Sequence, residues 1–110
     1  MSDVLQLERE AEALKAEGKK QEAVEKLLEL LQVDPKFVRA HLALAILYYQ
    51  LKDAENSVKY AEQAVQIEPE DQFNHVALSV TYQRAFELTR DSKYIHLAET
   101  AKDRSHGFNR

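Results

Sequence analysis

Three observations on this 110-residue chain predict an all-α fold built as a stack of helix-turn-helix hairpins. Apolar residues recur at spacings of three and four along almost the whole length, and no stretch alternates as a half-buried strand would. Two glycines and two prolines are too few for a turn-dense sandwich or a glycine-rich phosphate loop. Residues of matching type return at a fixed interval, which is the mark of a repeat architecture.

The elements follow in order. Val4, Leu7, Ala11 and Leu14 lie on one helical face, and Gly18 is a natural stop. Ala23, Val24, Leu27, Leu28, Leu30 and Leu31 make a second helix that ends at Val33-Asp34-Pro35. Asp34 is read as the cap of a third helix over about 36–51, with Pro35 in its first turn. Asp53 is the cap expected for a fourth helix, about 54–67. Glu68-Pro69 repeats the earlier acid–proline signal before a fifth helix, about 70–88. Asp91 or Ser92 would cap a sixth, about 92–104, whose apolar stripe is Tyr94, Leu97, Ala98 and Ala101. Residues 105–110 carry no periodicity and are expected to form a flexible tail.

Pro35 and Pro69 are 34 positions apart, as are Val4 and Val38, Ala11 and Ala45, Val24 and Val58, His41 and His75, Leu44 and Leu78, and Tyr48 and Tyr82. A helix–turn–helix unit of this period, closing on an acid and a proline, resembles the tetratricopeptide repeat. The resemblance covers about residues 4–101. The small positions are Ala11, Ala45 and Ser79 in first helices and Ala23 and Ser57 in second helices, beside the large residues Leu14, Tyr48 and Tyr82. It implies three hairpins in a short right-handed solenoid, one domain over 1–104. Repeats are expected at about 4–37, 38–71 and 72–104, with about three residues inserted near 86–90. The preferred alignment puts Tyr94 at the small position of the last unit; a longer insertion would put Ala98 there and turn Lys102 inward.

Composition narrows the function. The chain has no cysteine, so disulfides, thiolate metal sites and cysteine nucleophiles are excluded. Its net charge of −4 repels phosphate backbones, and no nucleic-acid partner is expected. The longest strictly apolar run, residues 42–49, is far below the ~20 that cross a bilayer, so no membrane partner is expected either. Met1-Ser2-Asp3 does not read as an export signal, which leaves a cytoplasmic protein as the expectation. Histidines at metal-ligand spacing and catalytic motifs are missing, so no metal, no cofactor and no enzymatic activity are expected. His41 and His75 read as packing residues.

The third helix decides the functional reading. Leu44, Ala45 and Tyr48 form its core stripe, which leaves Leu42, Ile46 and Tyr49 facing the other way, and a helix without a polar face should be covered by something. Phe73, Val76 and Val80 lie off the core stripe of the fifth helix. In the repeat geometry that the resemblance implies, all six point into the concave groove and form an apolar floor. Arg39, Gln83 and Arg84 are expected to border one side, with Glu8 and Glu12 on the other. An exposed apolar patch of this kind points to a non-catalytic protein-binding module, an adaptor or scaffold that takes a partner peptide or helix. Ordinary burial of these residues against neighbouring helices is the bland alternative.

The carboxylate clamp by which some members of the family grip chaperone tails needs cations and amides. Glu8, Glu12, Ala43, Phe73 and Ala77 stand at its positions, so chaperone C-terminal tails are disfavoured. A rival reading makes the same face, or the ends of the stack, a homo-oligomer contact. The acidic first third and basic last third of the chain read first as solvated helix faces; as a functional feature, the gradient would orient a ligand or favour head-to-tail contact between copies.

Overall fold

The computed structural model describes residues 3–107 and is all-α: α1 (Val4–Ala16), α2 (Lys20–Val33), α3 (Val38–Gln50), α4 (Ala54–Ile67), α5 (Gln72–Thr89) and α6 (Lys93–Gly107). Consecutive helices pair as the hairpins α1–α2, α3–α4 and α5–α6, which stack through α2 on α3 and α4 on α5.

Each hairpin turns through one left-handed residue: Gly18 (φ 79°), Lys52 (φ 64°) and Arg90 (φ 61°). The first two turns close alike. The Lys19 and Asp53 amides donate to the carbonyls of Leu14 and Tyr48 at 2.9 and 2.8 Å, a Schellman closure that satisfies orphan carbonyls at the helix end. A side chain at such a φ is strained by about 1–2 kcal/mol, and a Cβ at Gly18 would meet nothing within 4 Å. Gly18→Ala is therefore expected to lower the unfolding free energy by about that much through backbone strain alone. Lys52→Gly should raise it by up to about 1 kcal/mol. Urea titration of both variants checks the opposite signs.

Several helix starts differ from the sequence reading. Asp53 does cap α4, accepting from the Asn56 amide at 3.1 Å. Asp34 does not cap α3: it sits at the C-terminal end of α2, and its Oδ1 accepts from the Lys36 amide. Pro35 and Lys36 form a turn, and α3 begins two residues later than read, at Val38. Glu68-Pro69 makes a like turn, with Asp71 capping α5 through the Phe73 amide at 2.9 Å.

These turns are pinned from inside. His41 Nε2 donates to the Pro35 carbonyl at 2.8 Å and His75 Nε2 to the Pro69 carbonyl at 2.6 Å. Both rings are buried, so each histidine ties the start of a first helix to the turn before it. Asn74, also buried, donates to the Ala64 and Glu68 carbonyls at the end of α4.

The core has two parts. Leu7, Ala11, Ala23, Val24, Leu27, Leu30, Ala40, Leu44 and Leu47 form one cluster. Ala45, Ala54, Val58, Ala61, Leu78, Tyr82, Ala85, Ala98 and Ala101 form the other. Tyr60 packs against both and stacks on Tyr48 with ring centroids 5.7 Å apart. Small residues let paired helices approach, and their hydroxyls find carbonyls across the hairpin: Ser57 Oγ donates to Ala45 at 2.6 Å and Ser79 Oγ to Ala98 at 3.0 Å. The Tyr82 hydroxyl donates to Glu62 at 2.5 Å. Burial, and then this carboxylate, hold the phenol far above the ordinary tyrosine range.

The last hairpin corrects the expected alignment. Helix α5 has 18 residues where α3 has 13, so α6 starts later. The residue brought against Ser79 is Ala98 rather than Tyr94. Tyr94 instead lies half-buried with its ring 6.2 Å from Tyr82. Lys102 remains exposed because Ala98, Ala101 and Ser105 are the inward-facing residues of α6. Leu97, read as part of the stripe, is exposed. The helix runs on through Gly107, three residues into the segment expected to be tail, held by buried Ser105, whose Oγ donates to the Lys102 carbonyl. Residues 108–110 of that segment lie outside the described residues.

Candidate functional site

Helices α3 and α5 are the first helices of successive hairpins and touch each other, but their walls do not close. Between them lies an apolar hollow of about 230 Å³ lined by Leu42, Ala45 and Ile46 from α3 and by Phe73, Val76, Ala77, Val80, Thr81 and Arg84 from α5. The α5 residues recur at three and four, so they form one stripe along that helix. Thr81 spends its hydroxyl on the Ala77 carbonyl at 2.8 Å, which leaves its methyl group to the hollow.

Five of the six residues expected on an apolar floor line this hollow. Ile46, Phe73, Val76 and Val80 are exposed by 40, 64, 42 and 37%, and Leu42 is half-buried. The sixth, Tyr49, is half-buried beneath Arg84, whose guanidinium lies 5.0 Å above the ring. A second hollow of about 440 Å³ shares Leu42 and Phe73 and opens at the loop end, where Asp34, Lys36, Phe37, Val38, Arg39, Glu68, Asp71 and Asn74 line it. The two form one trough, apolar along most of its floor and charged at its mouth.

The expected edges are rearranged. Arg39 and Glu8 were placed on opposite borders, yet they form a two-pronged ion pair, Nε to Oε2 at 2.8 Å and Nη2 to Oε1 at 2.9 Å. The stacking of the first two hairpins brings Glu8 of α1 and Arg39 of α3 within reach of each other, and two opposite charges at that distance attract. Arg39 also lies 4.7 Å above the Phe37 ring. Glu12 and Gln83 are exposed and line neither hollow. Arg84 is part of the trough wall itself.

The Arg39 hydrogen bond, aided by its charge, holds the Glu8 carboxyl below the ordinary glutamate range. A depressed carboxyl contributes stability that is present above its unfolded-state pKa and lost as pH falls through the folded-state value. For a pair this open to water the effect on stability is small, so the site-resolved titration is the informative measurement. The Glu8 carboxyl carbon, followed by NMR, is expected to titrate below the ordinary glutamate range and to move back up in Arg39→Gln.

Apart from Arg39, the mouth of the trough could not be read from sequence. Glu68, Asp71 and Asn74 look like ordinary turn and cap residues, and only the fold brings them beside Phe37 and Phe73. Among the described residues no group of three or more His, Cys, Asp or Glu side chains is placed to hold a metal ion. No described helix is long and apolar enough to cross a membrane.

Sequence comparison agrees with this architecture. One TPR repeat family model matches residues 11–52 and a second, tetratricopeptide repeat, model matches residues 38–71, together more than half of the chain. The chain belongs to the tetratricopeptide repeat family. A TPR repeat-containing thioredoxin of Arabidopsis thaliana is 46% identical over 50 residues, which is 46% of this chain and 7% of that relative. The chain thus spans a small fraction of the relative's length. TPR hairpins are, as a class, protein–protein interaction modules, and here α3 and α5, the first helices of the second and third hairpins, carry the trough.

Proposed function

We propose that this TPR stack is a non-catalytic cytoplasmic adaptor that holds a peptide or helix of a partner protein in the trough between α3 and α5. The observation that carries the reading is the gathering of exposed Ile46, Phe73, Val76 and Val80 around one apolar hollow, because contiguous apolar surface of this kind marks partner sites. Within the trough, the apolar hollow of about 230 Å³ has room for the anchoring side chains of a larger partner. At about 25 cal/mol per Å² of apolar surface buried, less the ordering cost of association, a short segment would bind with a Kd in roughly the micromolar range.

The test is differential capture by the wild type and Ile46→Glu, both shown to be folded. Loss of specific partners by the variant supports the trough, and identical partner sets overturn it. A second reading, a homo-oligomeric scaffold, is favoured by Ile95 and Leu97, which are also exposed, on α6 at the end of the stack. Sedimentation over a range of concentrations separates the two. A monomer at all concentrations removes the scaffold, a dimer that Leu97→Glu dissociates supports it through α6, and a dimer that Ile46→Glu dissociates removes the adaptor.

A further inference from the structure

Resting on the trough reading above, we infer that the segment held there carries an acidic side chain directly beside its apolar anchors, and that the Arg84 guanidinium receives it. Arg84 is half-buried and stands at the end of the apolar stripe of α5, on the wall of the hollow. Its guanidinium carbon lies 5.0 Å above the Tyr49 ring. A cation held over an aromatic ring is positioned by it, and a guanidinium carries five N–H donors whose fork matches a carboxylate in two-pronged geometry.

Among the described residues no carboxylate lies within ion-pair distance of Arg84, whereas Arg39, the other arginine of the trough, is already held by Glu8. The two ends of the trough therefore differ in sign. With Arg39 neutralised, Asp34, Glu68 and Asp71 outweigh Lys36 at the loop end, so an acidic group placed there would be repelled. The same group at the far end meets an unpaired cation on an apolar wall, where water screens it less than at an open surface. Charge complementarity thus selects an apolar segment with its acid at the Arg84 end.

The experiment uses three synthetic helical peptides with leucines on successive turns, a neutral N-terminal end, and Glu, Gln or Lys directly after the last leucine. Binding to the whole chain is measured by fluorescence anisotropy at low and high salt. The Glu peptide is expected to bind about three- to tenfold more tightly than the Gln peptide and the Lys peptide more weakly than either. The spread should shrink as salt is raised. Arg84→Gln should erase the order and Arg84→Glu reverse it, with melting curves confirming the fold of each. If either variant fails to fold, the wild-type order and its salt dependence decide. Equal binding of the three peptides, or an order that Arg84→Gln leaves intact, overturns the inference while the trough reading stands. Binding that Val76→Glu does not weaken, or no binding of any peptide, removes the trough reading and this inference together.

Discussion

Leu44→Ala is expected to cost about 2–5 kcal/mol of folding free energy, the largest effect of any single truncation considered. Leu44 is fully buried on α3, inside the cluster that joins the first hairpin to the second. Removing its side chain forfeits both the transfer of those carbons out of water and the contacts lining the void, and interiors packed to crystal density relax only in part. A domain of this size holds roughly 5–15 kcal/mol in all, and a loss of 1 kcal/mol lowers the melting temperature by several degrees (about 4–8 °C for 60–100 residues). Leu42→Ala, two positions away and half-buried, should cost much less. Thermal and urea unfolding of the two variants check the contrast, and a shift for Leu44→Ala within about 1 kcal/mol would contradict the packing assigned to α3.

Val76→Glu should do the reverse. Its side chain is exposed on the wall of the hollow, so a carboxylate there keeps its water in the free protein and stability should move by no more than about 0.5 kcal/mol. A bound apolar segment would have to strip that water without offering a partner. Burial of an unpaired charge costs several kcal/mol, so affinity for any trough ligand should fall at least tenfold, a change of about 1.4 kcal/mol. Titration of a trough-binding peptide, with circular dichroism to confirm the fold, gives both numbers. A variant that binds as the wild type does would place the ligand elsewhere.

The repeat was legible because it is written in residue types that packing demands. A small residue at Ala45 or Ser57 and a proline at Pro35 or Pro69 can be recognised without knowing what lies beside them. Ile46 and Val76 fall off the core stripe of their own helices, and that much is a matter of spacing; that they face one groove came only from the repeat geometry that the resemblance implies. Turn chemistry was less readable, since Asp34 and Asp71 both precede helices but only Asp71 caps one. The register of α6 depends on five extra residues in α5, where the spacing along the sequence announced an insertion of only about three. Pairing of Arg39 with Glu8 lay furthest out of reach, because it follows from how two hairpins stack and from the conformations of two long side chains. That no carboxylate among the described residues reaches Arg84 was hidden for the same reason.

Helix α3 gives Ala40, Leu44 and Leu47 to one cluster and Ala45 to the other, and it offers Ile46 to the trough. A guest seated in the trough would lean on a beam that carries both halves of the building. Its binding energy would then be shared across the molecule, and the whole chain, rather than the docking wall alone, would become harder to melt.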